Sequence, residues 1–97
     1  MESFEIAHIN EQGVDLILIP LNNSFGYKTQ NEQNQITKKL QACAISARLK
    51  GTVIPIWIDS LNRMKFIAPQ NYFPFLESIN YDFVLANINK KLTCAYI

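Results

Sequence analysis

The chain carries one histidine, one tryptophan, two cysteines and three glycines among its 97 residues, and each shortage narrows what it can do. A Ser-His-Asp or Cys-His arrangement would have to use His8, which shares a predicted strand face with Phe4 and Ile6 and reads as a partly buried strand histidine. Cys43 and Cys94 stand far apart, in no CxxC or other zinc-ligand spacing, so no metal or cofactor is expected. Both are expected as reduced thiols, Cys43 inside the apolar stripe of a helix and Cys94 exposed near the end. The glycines, at 13, 26 and 51, are too far apart for a phosphate cradle of the GxxxxGKS/T or GxGxxG kind.

Long apolar runs are also lacking. The longest, "VDLILIPL" and "TVIPIWI", fall far short of the roughly twenty residues that cross a bilayer. The opening "MESFEIAHIN" is acidic and has neither the cationic region nor the apolar run of a signal peptide, so the expected setting is the cytoplasm, away from membranes. Nine basic against eight acidic side chains leave a formal charge of +1, which gives no global field toward nucleic acid or anionic lipid. Within that balance Glu2, Glu5, Glu11 and Asp15 come early, and Lys28, Lys38, Lys39, Arg48 and Lys50 follow on one loop and helix. The carboxylates form no acid/base pair: Asp15 and Asp59 belong to separate strands, and Asp59 beside Ser60 and Asn62 is a turn residue. No catalytic residue is identified.

What is present is a hydrophobic fraction of 48%, enough for one domain spanning residues 1–97. "SFEIAHIN" alternates as a half-exposed strand, Gly13 supplies a turn, and "VDLILIPL" follows as a strand apolar on both faces. Thr29 and Glu32 form a capping box that opens a helix over about 29–50, with Ile36, Leu40, Cys43, Ala44 and Ala47 on its inner stripe and Gly51 as the left-handed residue past its end. Ile45 and Leu49 lie off that stripe, which suggests a second contact surface. "TVIPIWID" and "RMKFIAP" read as a hairpin, with Pro55 placing the first of them at an edge or turning its missing donor outward. Pro74 suits a first helical turn, and Asp82 is the expected cap of a second helix whose face carries Val84, Leu85, Ile88 and Leu92. Residues 93–97 are a tail or a short last strand. Asn and Gln are frequent and dispersed, which reads as compositional bias.

The resulting fold class is α+β: a two-layer sandwich of order ββαββα, its sheet carrying helices on one face. The alternative is a ferredoxin-like βαββαβ with an extra N-terminal strand. Three functional readings follow. The first is a non-catalytic interaction or regulatory domain that associates with itself or another protein, its interface formed by Pro55, Tyr72, Phe73 and Phe75. The second is binding of a nucleic acid or nucleotide through "SFGYK", where Phe25, Gly26, Tyr27 and Lys28 precede the capped helix and Lys65 stands on a neighbouring strand. In the bland reading of that loop Gly26 takes a positive φ and the two aromatics close the sheet over the helix start. Core packing is likewise the preferred role of Trp57 and Phe66. The third reading is a small enzyme with no motif.

Overall fold

A computed structural model describes residues 2–95 of the chain. Its elements run β1 (Glu2–Glu11), β2 (Val14–Pro20), a short 3₁₀ helix (Asn23–Tyr27), α1 (Gln30–Ser46), β3 (Thr52–Ile58), β4 (Met64–Phe66), α2 (Phe73–Ser78), α3 (Tyr81–Ala86) and β5 (Lys90–Cys94). A second 3₁₀ turn, Gln70–Tyr72, leads into α2. The five strands form one mixed sheet in the order β4-β3-β2-β1-β5. β2 and β3 are parallel, joined by α1, and the other neighbours are antiparallel.

The strand periodicity explains the layers. In β2, Ile17 and Ile19 point to one side and Leu16 and Leu18 to the other, and all four are buried. Ile17 and Ile19 join Ile6, Val53 and Leu92 beneath Leu40 and Ala44 of α1. Leu16 and Leu18 join Ala7, Ile54 and Ile56 beneath Leu76 of α2 and Val84 of α3. Helices therefore cover both faces, which corrects the expected two-layer sandwich. A strand apolar on both sides demands cover on both.

The order of strands also departs from the ferredoxin-like alternative. β2 and β3 are immediate neighbours, without the strand that a split βαβ unit places between them. β1 lies beside β2 and β5 adds outside β1, so first and last strands do not compete for one place. The start of the expected tail is thus ladder: Glu2 pairs with Cys94 and Ser3 with Thr93. Tyr96 and Ile97, also assigned to that tail, lie outside the described residues.

Several local expectations hold and several are corrected. The capping box is formed, Thr29 Oγ1 accepting from the Glu32 N–H (3.2 Å) and Glu32 Oε1 accepting from that of Thr29 (3.1 Å). The helix ends earlier than expected, at Ser46. Arg48 takes the left-handed conformation (φ 62°), and the N–H groups of Arg48 and Leu49 return to the carbonyls of Ile45 and Ala44, a Schellman closure. Gly51 serves a different purpose: a Cβ there would lie 2.7 Å from the Asp15 carbonyl oxygen, at φ +131°. Asn80, not Asp82, caps α3, accepting from the Phe83 N–H at 2.8 Å. That helix stops at Ala86, so Leu92 belongs to a strand. Cys94 is buried and bonded to Cys43, with Cα atoms 5.6 Å apart, which overturns the expectation of free thiols and of an exposed Cys94.

Candidate functional site

The "SFGYK" loop folds as a plug. Asn22 caps its 3₁₀ turn by accepting from the Ser24 N–H, and Gln33 Nε2 donates to the Phe25 carbonyl from α1 (3.0 Å). Phe25 is 3% exposed and meets the ring of Trp57 edge-on, centroids 4.9 Å apart. Gly26 lies against the same indole, where a Cβ would sit 2.6 Å from Nε1, and its φ is not in the left-handed region. Close approach, not turn geometry, requires glycine there, which corrects the positive-φ expectation. Tyr27 projects outward at 76% exposure, and Lys28 is exposed beside it.

Trp57 pairs with Lys65 across β3 and β4, so both side chains lie on the sheet face that the plug covers. Lys65 is exposed while Trp57 is buried. Of the five residues expected to bind a ligand, Gly26, Tyr27, Lys28 and Lys65 are exposed. Phe25 is withdrawn into the core, so it has no face free for stacking on a base.

Pro55 is fully buried in β3, the second strand of the sheet, so it is no interface residue. Its carbonyl accepts from Ile67 at 3.1 Å, beyond the end of three-residue β4. Its missing donor therefore faces the side where the ladder has stopped. Tyr72 and Phe75 are half-buried against the core under α2. Phe73 is 36% exposed and stacks edge-on with Phe66, and Phe75 does so with Phe83, which is 37% exposed. Leu85 is 49% exposed on α3.

A groove of about 500 Å³ runs between the β1–β2 turn and α2, its apolar lining supplied by Val14, Leu16, Tyr72, Pro74 and Phe75. Phe75 belongs both to this groove and to the Phe83 pair, so a concave and a convex apolar surface share a border. Sequence reading did not single out Phe83, and it put Leu85 on one face with Val84, whereas Leu85 is exposed and Val84 buried.

The shifted titratable groups are structural. The Thr29 N–H, and then its hydroxyl, hold the Glu32 carboxyl below its ordinary value. The Arg63 N–H, assisted by that of Leu61 and by the Arg63 guanidinium at 3.1 Å, does the same for Asp59. Asp59 is thus the turn residue expected, tying the β3–β4 hairpin. His8 Nε2 stands 2.7 Å from the Lys50 carbonyl, which it meets as a donor. No group of three or more metal-ligating side chains occurs among the described residues, and no described helix is long and apolar enough to cross a membrane.

No family model matches the chain, and no curated protein or solved structure matches it either.

Proposed function

We propose that the protein is a small interaction domain that self-associates through the α2–α3 surface, and the observation that carries this is the apolar border at Phe75. A knob at Phe83, exposed and edge-on to Phe75, adjoins a groove lined by Val14, Tyr72 and Pro74. In a two-fold pair each copy presents both, so knob can meet groove twice. The +1 charge opposes that approach only weakly. A stable interface takes about 800 Å² from each partner, roughly an eighth of the 6155 Å² of accessible surface. One side chain does not supply that area, so the groove belongs to the contact.

The sheet edges do not offer a competing route. β4 has three residues with Lys65 exposed, and β5 presents Lys90 and Lys91. Short edges with lysines resist strand addition. Sedimentation velocity tests the proposal: the wild type should run as a dimer and Phe83→Asp as a folded monomer. A monomeric wild type at high micromolar concentration, or a dimer untouched by Phe83→Asp, refutes it.

A second reading, binding of a nucleic acid or nucleotide, keeps support from the exposed Tyr27 and Lys28 on the plug and from Lys65 on the face it covers. A stacking phenol with two ammonium groups suits a short single strand. Affinity for an oligonucleotide should fall as salt rises, and Tyr27→Ala should weaken it. Absence of binding at low salt removes this reading. The cytoplasm remains the proposed setting, in which protein disulfides are mostly transient.

A further inference from the structure

The Cys43–Cys94 bond ties the middle of α1 to the outermost strand and lies at the base of a second surface groove of about 530 Å³. The two sulfur-bearing residues are not equivalent. Cys43 lines the groove and is partly exposed, whereas Cys94 is 1% exposed among core side chains. Around Cys43 the helix presents Ala42, Ser46 and Ala47, all small, which leaves room for an incoming group. Lys39, one turn earlier on the same helix, places a cation at the rim.

We propose that this groove is a thiol–disulfide exchange site for a small anionic thiol, with Cys43 the residue modified and Cys94 the leaving thiol. The incoming thiolate attacks Cys43 Sγ, the new S–S bond forms as the bond to Cys94 breaks, and Cys94 Sγ leaves as a thiolate that takes a proton from solvent. A second thiolate then attacks the sulfur of the first thiol, releases Cys43 as a thiolate and leaves the small-molecule disulfide. In total two thiols are oxidised and the protein disulfide is reduced. Direction of attack follows from access, since only the Cys43 side opens to solvent. Lys39 draws the anion in, and reduction frees β5 from its covalent tie to α1.

Reduced glutathione serves as the probe. Purified protein is treated under native conditions at neutral pH, quenched with an alkylating agent and mapped by mass spectrometry. The expected product is one glutathione on Cys43 with Cys94 alkylated. In Lys39→Glu the rate with glutathione should drop about fivefold at low salt, the effect fading as salt is added, while the rate with 2-mercaptoethanol, whose only charge is the attacking thiolate itself, should drop less. In Cys94→Ser, oxidised glutathione should load Cys43 in the folded protein. The proposal is overturned by an intact mass showing both thiols free before treatment, by a bond that opens only after denaturation, by glutathione on Cys94, or by equal Lys39→Glu effects on both thiols. Should Cys94→Ser not fold, the wild-type mapping alone decides.

Discussion

Side-chain amides stand in for backbone at several points where the main chain runs out of partners. Asn89 donates to the His8 carbonyl (2.8 Å) and accepts from the His8 N–H (2.9 Å), the pattern of one more ladder rung beyond β5. Gln41 donates to the Gly51 carbonyl and accepts from the Val53 N–H (2.8 Å), which fastens α1 to the start of β3. Losing such a partner leaves main-chain groups unpaired. Asn89→Ala should therefore lower stability by roughly 1–3 kcal/mol, read from urea unfolding, and should speed hydrogen exchange at the His8 amide. Gly26→Ala forces a methyl against the Trp57 indole; the expected cost is about 1–3 kcal/mol, with a red-shifted tryptophan emission as the plug lifts. Unchanged emission would mean that the plug does not cover the ring. Glu32 and Asp59 both have folded pKa values below their ordinary ones. Their contribution to stability is full above the ordinary range, 4.5 for Glu32, and is lost as pH falls through the lowered values. Glu32→Gln should flatten that acid-side decline in melting temperature while leaving its position above pH 6 little dependent on pH.

Elements were legible in proportion to how far their signals were local. The capping box marked the start of α1 because Thr29 and Glu32 are three residues apart and need nothing else. Its end was misplaced because Arg48, an unlikely left-handed residue, closes the helix where glycine at 51 attracted attention. β5 and α3 were merged because Val84, Ile88 and Leu92 mimic helical spacing, and only the ladder to β1 resolves them. Both faces of β2 read as apolar, yet assigning helices to the two faces takes knowledge of which way the chain crosses the sheet. The reading in which both loop aromatics close the sheet over the helix start holds for Phe25, which is buried, and fails for Tyr27, which is exposed, while Pro55 had no local cue to its burial. The bond between Cys43 and Cys94 joins elements 51 residues apart, and its contribution scales with that separation. Cys43→Ala should cost about 2–4 kcal/mol and lower the melting temperature by roughly 10 °C or more; the same measurement under strong reductant should give a similar drop in the wild type and none in the variant.

The whole molecule stands on two separate cores divided by one sheet, with Leu40 and Ala44 above and Leu76 and Val84 below. Neither helical layer shields the opposite face. Leu40→Ala and Leu76→Ala should each cost about 2–5 kcal/mol, and because their clusters share no side chain the two losses should add to within roughly 0.5 kcal/mol in the double variant. A clear shortfall from additivity would mean that the layers communicate through the strands. The pairing of the first strand with the last has a kinetic meaning as well. Glu2 meets Cys94 and Phe4 meets Leu92, so one rim of the sheet joins segments from opposite ends of the chain, and long-range closures of this kind form late and slowly. During synthesis β1 can pair with β2 as soon as the hairpin emerges, but its outer rim stays bare until residues 90–94 have been made. That interval, and not the finished fold with its lysine-guarded edges, is when the chain is most open to pairing with a neighbour.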